Sequence, residues 1–163
     1  MRPFLPLILV LFTACYTTKV VHDTTKSYPS DLAAVFNTHG GLAQWQSQQS
    51  LTYTLEDIDK TEKHQVDLWT RRGRMEGPNF KMGFDGKDIW LDAKADYTGN
   101  AKFMYNLYFY FFAMPFVLAD DGIIYSETAD LEYEGKSYPG IRISYEEGVG
   151  ISPKDEYLSL IHI

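Results

Sequence analysis

Phe80-Lys81-Met82-Gly83-Phe84-Asp85-Gly86-Lys87-Asp88-Ile89-Trp90-Leu91 reads as two strands and the turn between them. Phe80, Met82 and Phe84 alternate with Lys81 and Gly83, the period of a strand with one buried face. Asp85-Gly86 stands where the alternation stops. A type I′ turn needs positive φ, which this dipeptide tolerates, so Asp88–Leu91 is expected to return antiparallel to Phe80–Phe84.

The same period extends in both directions. Upstream, Leu51, Tyr53 and Leu55 alternate with Thr52, Thr54 and Glu56. Residues Glu62 to Thr70 predict a second strand, with Val66 and Leu68 on one face and Trp69 on the other; Arg71-Arg72-Gly73-Arg74 follows as a basic turn. Downstream, one strand is expected to carry Tyr125, Ala129, Leu131 and Tyr133 on a single face, ending at the tight turn Glu134-Gly135-Lys136. Ile141, Ile143 and Tyr145 form the next. After the loop Gly148–Pro153 another strand starts at Asp155 and the chain ends inside it, which predicts that the natural protein continues past Ile163. Period-two segments joined by short turns specify an antiparallel sheet.

Two segments break the period. Leu32, Val35, Phe36 and His39 fall at helical spacing over 31–39, with Ser30 as the expected N-cap, Asp31 at the positive end of the dipole and Gly40-Gly41 as the stop. This helix should lie against one face of the sheet. Residues 100–119 are apolar on every side, from Phe103 to Leu118. A helix of that kind must be buried or sit in lipid. Its short length, Asn106, Pro115 and the flanking amphipathic strands argue against a transmembrane span, and Pro115 is expected to break it. The concave side of the sheet is the remaining place, as a plug or as a mobile lid.

The N-terminus has a different composition. Met1 to Ala14 carries one positive charge, then an apolar run, then small residues, the order of an export signal. Phe12-Thr13-Ala14-Cys15 resembles the lipobox of bacterial lipoproteins, with Phe12 where Leu is usual. By that resemblance, residues 1–14 are a signal peptide and Cys15 takes a diacylglyceryl group and becomes the new N-terminus. The alternative is an ordinary secretory signal with Cys15 beside its cleavage site. Residues 15–29, rich in Thr and Lys, suit a polar tether from the lipid to a single domain at 30–163.

Composition narrows the function. A formal net charge of −7 disfavours nucleic acid as a partner. The chain has one cysteine, so no internal disulfide forms. It contains no nucleophile elbow, His-Glu-x-x-His pair or phosphate loop, and its four histidines share no metal-ligand spacing. No catalytic residue, metal or cofactor is expected. His39, at a helix end, suits a role in binding the last carbonyls. Arg71, Arg72 and Arg74 are read as a solvated turn, the alternative being contact with an anionic headgroup or partner. Tryptophans at 45, 69 and 90 are core by default, with Trp69 also placed to line a pocket.

A short helix ending His39-Gly40-Gly41, Trp45 a few residues on, and then successive strands from Leu51 resembles the periplasmic lipoprotein-carrier (LolA-like) superfamily. The Phe84–Leu91 hairpin fits the same pattern, and the resemblance runs from about Ser30 to Tyr157. It implies an α+β, mostly β fold, in which a curved antiparallel sheet, an incompletely closed barrel, wraps around one or two helices and encloses an apolar cavity for acyl chains. It also implies an outer-membrane lipoprotein facing the periplasm, tethered through Cys15 where the carriers proper are soluble. The residues expected to touch a lipid or other hydrophobic ligand are Trp69, Trp90, Tyr108, Phe109, Phe111 and Phe112. The competing expectation is a structural or interaction lipoprotein with a filled core.

Overall fold

The computed structural model describes residues 26–57, 60–94, 97–149 and 157–160. The expected export signal, Cys15, most of the expected tether and residues 150–156, where the end of a loop and the start of a strand are expected, lie outside the described residues. The fold is α+β and mostly strand, its sheets are antiparallel, and no closed barrel forms among the described residues.

Five consecutive strands make a meander: β1 (Ser50–Asp57), β2 (Lys60–Asp67), β3 (Gly73–Glu76), β4 (Phe80–Phe84) and β5 (Ile89–Ala93), hydrogen-bonded in that order. Tyr53 pairs with His64, His64 with Met75, and Met75 with Met82, so these side chains share one row on one face. The Phe84–Ile89 hairpin is present, but its centre differs from the expected Asp-Gly pair. Asp85 and Asp88 are bonded partners (Asp85 N–H to Asp88 O, 3.2 Å), and Gly86 takes the first central position at φ +99°. Lys87 has no positive φ, which excludes type I′. The Asp85 carboxylate explains the shift: it accepts the backbone N–H groups of Lys87 and Asp88, both at 2.8 Å.

β2 stops at Asp67, three residues before the expected end. Asp67 Oδ1 accepts from Trp69 N–H, Thr70 N–H and the Thr70 hydroxyl, at 3.0, 2.7 and 2.9 Å. This local bonding offers Leu68–Thr70 a turn in place of the ladder. Trp69 therefore sits on that turn, where its indole N–H donates to Gln46 O at 3.4 Å.

Helix α1 (Ser30–Thr38) begins one residue earlier than expected, with Pro29 at the N-cap and no side-chain cap. Its other end matches the glycine pair: Gly41 N–H bonds to Phe36 O and Gly40 N–H to Asn37 O, a Schellman arrangement, and His39 Nδ1 lies 2.9 Å from Val35 O. Leu32 and Phe36 are buried against Leu118, Ala119, Ile123, Ile141 and Ile143. Those isoleucines belong to the second sheet, order β10-β9-β6, with β6 at Ile123–Glu127, β9 at Gly140–Tyr145 and β10 at Tyr157–Leu160. The expected helix-on-sheet packing is thus made against this three-stranded sheet. A short helix α2 (Leu42–Ser47) follows α1, and its Trp45 stacks on Phe116 at 4.8 Å between centroids.

The run 125–133 is not one strand. β6 ends at Glu127, and β7 (Leu131–Tyr133) pairs with β8 (Lys136–Tyr138) as a separate two-stranded ribbon. Leu131 and Tyr133 face solvent, so their alternation reflects no shared core. The turn between β7 and β8 holds Glu134 at φ +50° and Gly135 at +73°, the two positive angles of a I′ hairpin.

Helix α3 (Ala101–Phe112) starts at Asn100, whose side chain accepts from Phe103 N–H at 3.1 Å. It ends just before Pro115, and Phe116–Ala119 continues as a 3-10 turn. The helix lies on β4 and β5. Gly73 permits its close approach, because a Cβ there would stand within bonding distance of the Tyr105 hydroxyl. The expectation that this apolar segment is wholly covered fails: α3 buries Tyr105, whereas Phe103, Phe111 and Phe112 are exposed. No helix among the described residues is long and apolar enough to cross a membrane.

Candidate functional site

Between α3 and the two larger sheets lies a cleft of about 900 Å³. Phe84 and Ile89 form its wall on the five-stranded side, and Val117, Ile123 and Tyr145 the wall on the other. The i, i+4, i+8 row Phe103, Leu107, Phe111 of α3 edges it. A volume of this size with a mostly apolar wall suits a small hydrophobic ligand, and Arg71, Lys87, Asp88, Lys102, Asp120 and Asp121 add charge to the lining.

Arg71, Asp120 and Lys26 meet at one corner of the cleft. Arg71, held at φ +60° in the β2–β3 turn, forms an ion pair with Asp120 (Nη2 to Oδ1, 2.6 Å), and its guanidinium lies 4.7 Å from the centroid of Phe109. Lys26 Nζ donates to Asp120 O at 2.6 Å. These contacts tie the five-stranded sheet, the 3-10 turn and the start of the described chain to a single corner of the cleft. Arg71 and Asp120 are each about a third exposed, so solvent screening keeps their pairing to roughly 0–1 kcal/mol.

Of the six residues expected to meet a ligand, Phe109 and Phe111 line this cleft. Trp69 lies on its turn. Trp90 is exposed on β5 and covers Gly83, its cross-strand partner; a Cβ on Gly83 would come within 2.7 Å of the indole. Tyr108 sets its ring at 72° to that of His64, 5.5 Å away. Phe112 stacks on Tyr53, with centroids 3.9 Å apart and planes 7° from parallel.

Those last two contacts reveal a feature that the motif search over the sequence missed. Glu62 and His64 are buried, at 4% and 3% exposure. The His64 ring stacks on Tyr53 at 4.6 Å, so His64, Tyr53 and Phe112 form a continuous stack from β2 through β1 to the end of α3. His64 Nε2 is 3.6 Å from Glu62 Oε2, and Lys60 Nζ is 3.7 Å from the other carboxylate oxygen. Tyr53 Oη, Glu62 Oε2 and His64 Nε2 are buried without a hydrogen-bond partner. Burial disfavours the imidazolium and lowers His64 to about 4. Burial is also the main cause of the raised Tyr53 phenol, with Tyr105 and Glu62 adding to it, and it lifts Tyr105 to about 12. Parity held the signal for this patch. Glu62 and His64 share the register of Val66 on β2, the face assigned inward, while Thr61, Lys63 and Gln65 point outward.

No group of three or more His, Cys, Asp or Glu side chains among the described residues is placed to hold a metal. The site so defined is a mostly apolar cleft in an antiparallel α+β protein, and the buried patch of Tyr53, Glu62 and His64 lies apart from its lining. No protein-family model, curated protein or solved structure matches this chain.

Proposed function

We propose that this protein is a membrane-anchored lipoprotein of the cell envelope, facing the periplasm from the outer membrane, that holds a lipid or other hydrophobic molecule non-catalytically. The cleft of about 900 Å³ between α3 and the sheets carries this reading, because its walls offer apolar side chains and no reactive constellation. The lipobox-like Phe12–Cys15 supports the anchor, and the His39-Gly40-Gly41 and Trp45 pattern supports kinship with the lipoprotein-carrier superfamily. In this scheme Arg71 and Asp120 hold the corner of the cleft through Phe109, and α3 supplies the wall that a ligand touches.

A fluorescent fatty acid titrated into the protein tests the cleft. Saturable binding at one site, displaced by phospholipid and weakened severalfold by Phe109→Ala, is the expected result. Absence of saturable binding would leave a structural lipoprotein as the alternative, with α3 fixed by the Phe112–Tyr53 stack. The anchor is tested separately: an acyl mass is expected on the N-terminal peptide, and it should be lost in Cys15→Ser.

A further inference from the structure

Phe103, Leu107 and Phe111 form one row along α3, and its two ends stand open: Phe103 is 48% exposed and Phe111 63%, with Leu107 half-buried between them. Two outward phenylalanines in one helical row on the lip of a cleft are an apolar patch that water does not favour. The row is also continuous with the cleft, since all three residues line it. The start of the described chain lies at the same cleft. Lys26 donates to the carbonyls of Ala119 and Asp120, and Asp120 and Asp121 line the cleft with the row. From Cys15 to Lys26 is eleven residues. At full extension they reach at most ~40 Å. An acyl group on Cys15 therefore keeps this face within ~40 Å of the bilayer, close enough to dock.

We infer that the Phe103–Leu107–Phe111 face of α3 docks into the lipid bilayer surface, so that the cleft opens onto the membrane. This rests on the lipoprotein reading and deepens it, because it makes the bilayer the source or destination of the ligand. Insertion is apolar. Lys87 and Lys102 at the cleft are matched by Asp88 and Asp121, and the chain carries a net charge of −7, so anionic headgroups contribute little. Docking therefore persists on neutral lipid at high salt.

The test uses the full acylated protein in phosphatidylcholine vesicles. Acylation blocks Cys15, so Phe103→Cys or Phe111→Cys provides a single thiol for an environment-sensitive fluorophore. Lys63→Cys is the reference; it is exposed on the opposite face of β2 from buried Glu62 and His64. Labels at 103 and 111 are expected to resist aqueous iodide and to be quenched by nitroxide-bearing lipid, at least about fivefold more than the label at 63, with no change at high salt. Iodide access at 103 and 111 equal to that at 63 would overturn the inference. Shielding from iodide without quenching by lipid would overturn it too, and would mark the row as a contact between copies of the chain. Loss of lipid quenching at high salt would overturn apolar insertion. The mass of the N-terminal peptide separates the two readings. If Cys15 carries no acyl group the anchor is wrong, and the same labels on a Cys15→Ser chain with added vesicles still decide whether the row docks.

Discussion

Helices α1 and α3 each lie on an antiparallel sheet, but they are held by different side chains. Helix α1 presses Leu32 and Phe36 into a cluster of Ile123, Ile141, Ile143, Leu118 and Ala119, all nearly closed to solvent. Helix α3 buries Tyr105 against Met75, Met82 and Phe80, rests Phe112 on the Tyr53–His64 stack, and turns Phe103 and Phe111 outward. One half places branched aliphatic and aromatic residues inside and polar ones outside. The other buries a carboxylate and an imidazole while exposing phenylalanine. Methionines in the second core adapt readily to neighbouring shape, and a cleft interrupts the packing. The difference separates a closed apolar core from a helix that leaves aromatic rings exposed beside a cleft.

The comparison should be visible in unfolding measurements. Phe36→Ala removes a ring that is 2% exposed, and is expected to cost ~3–5 kcal/mol in urea unfolding. A loss under ~1 kcal/mol would mean that the α1 core is no better packed than the α3 side.

The next effect is one of pH. His64 stays neutral in the folded chain down to about pH 4, whereas in the unfolded chain it takes a proton near pH 6.5. Its contribution is therefore intact above about pH 6.5 and declines as pH falls through the window to about 4. The loss is at most ~3 kcal/mol, the free-energy equivalent of the difference between about 4 and 6.5. Unfolding curves of wild type and His64→Phe, compared between pH 7 and pH 4.5, isolate it. The same slope in both proteins would place the proton uptake elsewhere.

The smallest effects belong to the outer residues of α3. Phe112→Ala breaks one offset stack at a half-exposed position and is expected to cost ~1 kcal/mol. Phe111→Ala should stay within about 0.5 kcal/mol. Equal and large losses at both would mean that α3 is a core helix and that the two halves do not differ as described.

Alternation, the glycine pair and Pro115 made most of the elements legible. They placed α1 and its Schellman end, most of the strands, the 84–89 hairpin, the break after Phe112 and the Glu134-Gly135 turn, because these are set by φ preferences and side-chain period over a few residues, but β3 begins at Gly73, inside the stretch read as a basic turn. The same local rules misplaced the ends of β2 and the division between β6 and β7. An Asp67 turn and a change of sheet partner do not alter the period. Parity put Glu62 and His64 on the inward face, yet only the stacking of Phe112 and Tyr53 over them made that face a buried polar patch. Residues 103–118 show the limit most clearly. Their composition established that they avoid water, but not what they would avoid it against. The structure gave them one sheet face, a cleft and an outward row of phenylalanines, since burial is decided by how much surface the rest of the chain can supply.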